Sequence, residues 1–465
     1  MTSAYRAAPP RHQAAGHRAS AAPRGARTGR VPAAAVVLTL GWAGAAAVLA
    51  LWWQDTGSVV GTADWLLGAG RIAGLLCGYG CALLVLLMAR VPALENAVGS
   101  DRVARWHAMA GRYVVCLLLV HVTCVLAGYT AQAHTNIVGE TWTVVTTYPD
   151  MLRGATGGLL LLGVGALSVR AARRRMRYET WYHLHLLTYL ALYLAFWHQL
   201  ALGADFPGGS AARTGWYVLY GAAAAAVCWY RLLVPLRLNL RHRLRVASVV
   251  QEGPGVVSVF VQGRRLGELR ARPGQFLRWR FLAPGLRWTS GPYSLSAPPR
   301  GDVLRITVKA VGSHSAALAR LRPGTRVWAE GPYGALTADR RRRQKVLLLA
   351  GGVGVTPLRA LFESLPGRPG DLSLIYRART PADLALRSEL EAIAQTRGAR
   401  LFLAVNAPDG RRPDLTAAGL RAALPDIAAH DVYVCGPPAL TRAVYTELRS
   451  AGVPAARIHH ESFAL

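Results

Sequence analysis

Six runs of apolar residues fill the first half of the chain, at about 33–53, 66–89, 107–130, 153–169, 181–202 and 214–234. A helix that crosses a lipid bilayer needs about 20 mostly apolar residues, so these runs predict six transmembrane spans. From about residue 240 the pattern shortens. Runs such as "VVSVFVQG", "FLRWRF" and "VLRITVKAVG", broken by Gly and Pro, predict a small antiparallel barrel. After about 344, strand-like runs ("KVLLLAG", "LSLIYRAR", "DVYVCG") alternate with helical ones ("PLRALFESL", "ALTRAVYTELRSAG"). That alternation predicts a parallel sheet covered by helices. The expected organisation is a basic tail over 1–30, a six-span bundle over 31–238, an antiparallel domain over 239–340 and an α/β domain over 341–465.

Charge orients the spans. The tail carries Arg6, Arg11, Arg18, Arg24, Arg27 and Arg30, and cations recur after spans two, four ("RAARRRMRYE") and six ("RLNLRHRLR"). The other three loops hold Asp55, Asp64, Glu140, Asp150 and Asp205. Positive loops stay inside, so a multi-pass protein of the cell membrane with both termini cytoplasmic is expected, lipid being its surroundings. The net charge of +30 is almost all arginine, with Lys309 and Lys345 the only lysines. That bias and its place in flanking loops argue against nucleic acid as a partner. Of six cysteines, five lie in apolar runs and no CxxC pair occurs, so neither a disulfide framework nor a zinc site is expected.

Histidines interrupt the apolar pattern. Span three holds His107 and His121, 14 apart; span five holds His185 and His198, 13 apart. At 1.5 Å per residue each separation is roughly 20 Å, so the histidines fall at two matched depths. Two facing imidazoles can hold a haem iron axially, and two such pairs give two stacked haems. A separation of 13 does not return to one face of a regular helix. The span would need a π-bulge, a tilt, or ligands on different flanks; His183 and His198, 15 apart, fit an ideal helix better.

With these features the chain resembles the ferric reductase and NADPH oxidase superfamily over about residues 60–465. "WHAMAGRYVVCLLLVH" and "LHLLTYLALYLAFWH" resemble its third and fifth spans. The resemblance gives the iron-ligand role to His107, His121, His185 and His198 and leaves His183 as a neighbour or alternative. It also puts Arg71 near the outer haem, in propionate pairing or the acceptor pocket. Animal oxidases keep a further histidine where this chain has Val125, which weakens a dedicated oxygen-reducing role.

"GPYSLSAPP" at 291–299 resembles the flavin motif of ferredoxin–NADP reductase-like domains. It implies FAD contacts at Tyr293, Ser294, Leu295 and Ser296. Gly291 stands where that motif has a cation, so Arg287, Lys309 or the "GSHS" turn with His314 and Ser315 is left to meet the pyrophosphate. "LLLAGGVGVTPLRAL" is a strand, a Gly-rich turn and a helix, the arrangement that cradles a dinucleotide phosphate; Gly351, Gly352, Gly354, Thr356 and Pro357 are its expected contacts. Arg377 and Arg379 follow the next strand, where a 2′-phosphate needs cations, favouring NADPH while NADH stays possible. The resemblance places Cys435, with Gly436 and Pro437, near the reacting atoms, and Glu461 and Phe463 beside the flavin.

The reading that results is a multi-domain membrane protein: a six-helix haem-binding bundle, a β-barrel FAD domain and an α/β nicotinamide domain. It is expected to move electrons from cytoplasmic NAD(P)H through FAD and two b-type haems to an extracytoplasmic acceptor. Ferric or cupric chelate is the first choice and oxygen the second; outer-loop His134 and Glu140 do not make a metal cluster. The rival reading is a membrane-anchored flavin reductase subunit that serves a partner protein.

Overall fold

A computed structural model describes residues 33–462 apart from 55–58, 177, 207, 209 and 408. The basic tail and Phe463 lie outside the described residues. The first half is helical: α1 (Ala33–Gln54), α2 (Thr62–Met88), α3 (Pro92–Val98), α4 (Ser100–Ala133), α5 (Ile137–Thr147), α6 (Met151–Ser168), α7 (Arg170–Arg173), α8 (Tyr178–His185), α9 (Leu187–Leu202), α10 (Ala211–Val227) and α11 (Val234–His242). A π-helical turn over Cys228–Leu233 joins α10 to α11, giving one continuous helix of 32 residues, Ala211–His242.

Among the described residues, five helices rather than six are long and apolar enough to cross a membrane. The difference lies in the fifth expected span, which is interrupted at Leu186. The Leu186 amide is shared between the carbonyls of Tyr182 and His183, each at 3.2 Å, and the Tyr189 amide reaches back only three residues, to Leu186. The Thr188 hydroxyl donates to the His185 carbonyl at 2.8 Å. That bond supplies a local competitor to the helical ladder. The sequence pattern also missed α5, which Asn136 caps by accepting from the Gly139 amide at 2.8 Å.

Small residues let α2 and α4 approach closely. A Cβ at Gly70 would lie 2.6 Å from Val125, one at Gly74 2.7 Å from His121, and one at Gly80 2.8 Å from Val114. Membrane helices, lacking a hydrophobic drive to associate, pack through such small-residue contacts.

The antiparallel half forms two three-stranded sheets. One is ordered β1 (Arg245–Gly253), β2 (Val256–Gln262), β5 (Val303–Lys309); the other is β4 (Gly291–Ser294), β3 (Phe276–Phe281), β6 (Val327–Tyr333). Their inner faces share a core containing Val259, Leu277, Trp279, Phe281 and Ile306. The expected barrel is not closed by continuous ladders: among the described residues the sheets meet through the single bridges Arg245 to Arg326 and Leu295 to Ile306, with a few flanking backbone bonds such as that from the Val246 amide to the Thr325 carbonyl. β4 is four residues long, and Pro298 and Pro299 beyond it have no amide with which to extend the ladder.

The last third is a parallel sheet in the order β11 (Ile458–Ser462), β10 (Asp431–Gly436), β7 (Val346–Gly351), β8 (Leu372–Ala378), β9 (Arg400–Val405). β7 is buried on both faces. Leu348 and Ala350 enter one core and Leu347 and Leu349 the other, as alternation along a strand requires. After the short helix α12 (Ser313–Ala317) of the antiparallel half, helices α13 (Val355–Ser364), α14 (Arg387–Arg397), α15 (Ala417–Ala423) and α16 (Pro438–Ser450) complete this part. The membrane half is tied to the antiparallel half by buried Asn239 of α11. Its side-chain amide donates to the Ala329 carbonyl at 2.9 Å and accepts from the Ala329 amide at 2.8 Å, as a neighbouring strand would.

Candidate functional site

The four expected histidines form two groups in the bundle. His107 and His185 face each other with ring centres 6.0 Å apart and planes at 78°. The Nδ1 of His107 lies 3.2 Å from the Leu84 carbonyl, and that of His185 lies 3.4 Å from the Ser168 hydroxyl oxygen. Ser168 already donates to Val164, so towards His185 it accepts. Trp181 stacks on the other face of His185 at 5.1 Å. His183 instead sits by Tyr182, its ring centre 5.7 Å from that ring.

In the second group, the Nδ1 of His121 on α4 lies 2.8 Å from the Gly70 carbonyl, and His198 is carried by α9. Gly74 and Gly154 back these rings: a Cβ would lie 2.7 Å from the Nδ1 of His121 or 2.8 Å from that of His198. A carbonyl can only accept, so the Nδ1 of His107 and of His121 carries the proton and the Nε2 lone pair is free. Metal-bound histidines are oriented in this way, with the second ring nitrogen donating to the protein. The spacing fits as well. A metal–nitrogen bond of about 2 Å on each side, added to about 1.1 Å from nitrogen to ring centre, gives roughly 6 Å between two imidazoles that share an iron.

Arg71 has a partner in the bundle itself. Its guanidinium pairs with Asp205 at 2.7 Å, and that carboxylate is 2% exposed. Nothing in the sequence linked these residues, which lie 134 positions apart.

In the antiparallel half, Tyr293 and His314 are parallel within 5°, with ring centres 6.5 Å apart, and the His314 Nδ1 lies 2.7 Å from the Thr289 hydroxyl. Burial pushes the Tyr293 phenol up to about 12. A Cβ at Gly291 would lie 2.8 Å from the Tyr293 ring, so the missing cation and the ring position are coupled. The Ser294 hydroxyl is buried without a hydrogen-bond partner, which suits the polar edge of a flat ring.

Four other candidate contacts have partners within the protein. Leu295 is fully buried in the core, and its amide donates to the Gln275 carbonyl. Ser296 accepts from Arg305 Nε at 3.1 Å and from Thr307 at 2.8 Å. The Ser315 hydroxyl accepts from the amides of Val311 and Gly312 and closes its own turn. Lys309 pairs with Asp383 at 3.0 Å.

The parallel sheet provides a crevice. β8 and β9 extend from β7 in one direction, and β10 and β11 in the other. Ligands of such sheets bind at the carboxyl ends of the strands at this switch point. There Gly351 and Gly354 lie against Cys435, Gly436 and Pro437, while a Cβ at Gly352 would meet nothing within 4 Å. A Cβ at Gly354 would overlap the Cys435 carbonyl, and one at Gly351 would lie 3.2 Å from Pro437. Thr356 Oγ1 donates to Val353 at 3.0 Å, and Pro357 is buried in the first turn of α13. Cys435 is fully buried.

At the end of β8, Arg377 donates to Asn406 Oδ1 at 2.5 Å and to the Ala404 carbonyl, while Arg379, just beyond the strand, is exposed. Burial, followed by the nearby charges of Arg412 and Arg379, lowers the Arg377 pKa. Arg412 is therefore a third cation of this cluster, and the sequence reading missed it.

Comparison with known proteins follows this division. The model of the ferric reductase like transmembrane component matches residues 73–196, and that of the oxidoreductase NAD-binding domain matches residues 348–446. The stachydrine N-demethylase reductase subunit Stc4 of Rhizobium meliloti is 33% identical over 47% of this chain and 66% of its own length. The glycine betaine monooxygenase reductase subunit of Chromohalobacter salexigens is 31% identical over 48% and 65%. The chain thus spans just under two thirds of these two relatives. The flavohem-like FAD/NAD binding domain of nitric oxide dioxygenase from Vibrio cholerae is 22% identical, with a TM-score of 0.39, over 48% of this chain and 98% of that one. The chain thus carries a ferric reductase like transmembrane component followed by an oxidoreductase NAD-binding domain, an arrangement that matches the ferric reductase and NADPH oxidase superfamily.

Proposed function

We propose that this chain is a transmembrane oxidoreductase. It takes electrons from NAD(P)H at the switch point of the parallel sheet and passes them to an acceptor on the far side of the membrane. Bound FAD and two haems supply the conversion of a hydride into single electrons and their carriage across the bilayer. His107 with His185, and His121 with His198, hold the haems. Tyr293 and Ser294 seat the flavin, the Gly351–Gly354 turn holds the pyrophosphate, and Arg379 with Arg412 meets a 2′-phosphate. The observation that carries this reading is the 6.0 Å approach of His107 and His185, with the Nδ1 of each engaged by the protein. The flavin half and both termini are cytoplasmic in this reading, from the distribution of arginines in the loops. Ferric or cupric chelate is the favoured acceptor and oxygen the second.

A second reading, a membrane-anchored reductase subunit for a partner enzyme, is favoured by the names of the relatives, which are reductase subunits of a demethylase and a monooxygenase. One preparation separates the two. The conduit purifies with a b-type haem spectrum that dithionite reduces, and in proteoliposomes it couples NADPH oxidation outside to ferric chelate reduction within the lumen. The anchor purifies with flavin alone and reduces nothing across the bilayer.

A further inference from the structure

The helix Ala211–His242 has 32 residues, about 48 Å of rise, whereas the hydrocarbon core of a bilayer is about 30 Å thick. Its last turns therefore stand in the headgroup zone, on the side where the chain enters the flavin half. They do not become polar there. Leu240 is 64% exposed and Trp229 52%, and Leu233 and Leu236 are also exposed. Positions 229, 233, 236, 237 and 240 follow helical spacing along one face. With Arg237, Arg241 and Arg265 they line a groove of about 580 Å³.

Arg265 comes from the antiparallel half, in the loop after β2, so the groove straddles the joint between the two halves. Its cations are unequally engaged. Arg241 pairs with Glu268, the one carboxylate the structure brings to a lining arginine, whereas Arg237 and Arg265 form no ion pair among the described residues. An apolar wall at headgroup depth beside two unpaired guanidinium groups matches a molecule with an acyl chain and an anionic phosphate. A free phosphate leaves the wall unused, and a zwitterionic lipid brings its own cation beside the phosphate, against the arginines.

We propose that this groove binds an anionic phospholipid of the leaflet next to the flavin half. Its phosphate bridges Arg237 and Arg265, and its chain lies along Trp229, Leu233, Leu236 and Leu240. The bound lipid fastens the flavin half to the membrane half.

The test uses the full chain, in nanodiscs of phosphatidylcholine alone or mixed with phosphatidylglycerol. Native mass spectrometry reads retained lipid, and flavin release on heating reads stability. The expected result is preferential retention of phosphatidylglycerol and a raised release temperature. The Arg237→Gln/Arg265→Gln pair should lose both, with retention falling about 10- to 30-fold at about 1 kcal/mol per arginine. If that pair fails to load flavin, Leu240→Glu replaces it; this exposed site loses no packing and sets a carboxylate against the phosphate. Equal retention by a flavin-loaded variant overturns the proposal. So does equal stabilisation by soluble glycerol phosphate, which would make the groove a phosphate site. The lipid readout does not depend on which acceptor the chain serves.

Discussion

His107 of α4 and His185 of α8 stand with ring centres 6.0 Å apart, although their helices are far apart in the sequence. His183, two residues away, is turned towards Tyr182. The two histidines therefore differ in consequence. His185→Ala should remove about one of two haems, measured as the ratio of pyridine haemochrome to protein. His183→Ala should keep both. Equal loss from the two substitutions would contradict the assignment of His185.

Gly74 and Gly154 give the outer pair its shape. A methyl group at either falls 2.7–2.8 Å from an imidazole nitrogen, whereas a Cβ at Gly158 meets nothing within 4 Å. Gly74→Ala and Gly154→Ala should displace His121 or His198 and lower or shift the outer haem signal in a redox titration. Gly158→Ala, on the same helix as Gly154, should leave the titration unchanged. The inner pair provides an internal reference in each sample.

Much of this architecture is legible in the sequence because it rests on periodicity. The apolar runs, the change of pattern near 240 and the strand–turn–helix at Gly351 are local signals, and the structure places elements at all three. The irregular features depend on contacts between distant residues. The break at Leu186 is held by a threonine hydroxyl and shared amide bonds in an unbroken apolar run. Asp205 reads as an outer-loop acid until Arg71 is set against it. The barrel was expected from strand count, but closure depends on pairing at two seams, where a four-residue strand leaves single bridges. Ser296 and Ser315 fit a motif by position, yet their hydroxyls are engaged by Arg305 and by the turn itself.

Arg379 and Arg412 set a prediction about cofactor choice. Arg377 is committed to Asn406 and the Ala404 carbonyl, which leaves the other two to meet a phosphate. Removing one charge-assisted contact costs about 1.5–3 kcal/mol. Arg379→Ala should therefore raise KM for NADPH by about 10- to 100-fold and leave KM for NADH within about twofold. Steady-state flavin reduction with both nucleotides checks this. An equal rise for the two would mean that the arginine does not read the 2′-phosphate.

The buried tyrosines set an alkaline limit. Burial pushes Tyr333 up to about 12 and raises Tyr376 and Tyr433 as well, against about 10 in an unfolded chain. Between these values the unfolded state has lost the phenolic proton and the folded state has kept it, so stability falls as pH rises. The slope is about 1.4 kcal/mol per pH unit for each such tyrosine. Flavin release temperature should not respond to these groups below pH ~9.5 and should fall steeply above pH ~10. Because the chain also has exposed tyrosines such as Tyr113 and Tyr193, the tyrosinate absorbance of Tyr333, Tyr376 and Tyr433 is taken as the difference from their Tyr→Phe variants, and it should appear together with unfolding. Its appearance in the folded protein near pH ~10 would contradict the burial argument.

Glu389 joins the antiparallel half to the parallel-sheet part. It accepts from both Arg305 of β5, at 2.7 and 2.9 Å, and Arg359 of α13, at 2.8 Å. The arginine side chains are only 8% and 10% exposed. Arg359 also pairs with Glu363, and Glu363 with Arg300 of the antiparallel half. Glu389→Ala leaves Arg305 with the Ser296 oxygens but without a counter-charge, and breaking such a buried pair from one side costs about 3–5 kcal/mol. Glu389 is itself 31% exposed, so water reaching the vacated space places the expected loss near the lower end, about 3 kcal/mol. Replacing both partners, Glu389→Ala with Arg305→Met, should recover part of that loss, because the uncompensated charge goes with its partner. Thermal flavin release across the four proteins measures the coupling. Because Arg305 also holds Ser296, next to the flavin motif, and α13 begins at the Gly-rich turn, the single substitution should lower the rate of flavin reduction by NADPH more than it lowers flavin content. Equal losses in rate and content would reduce Glu389 to a role in folding alone.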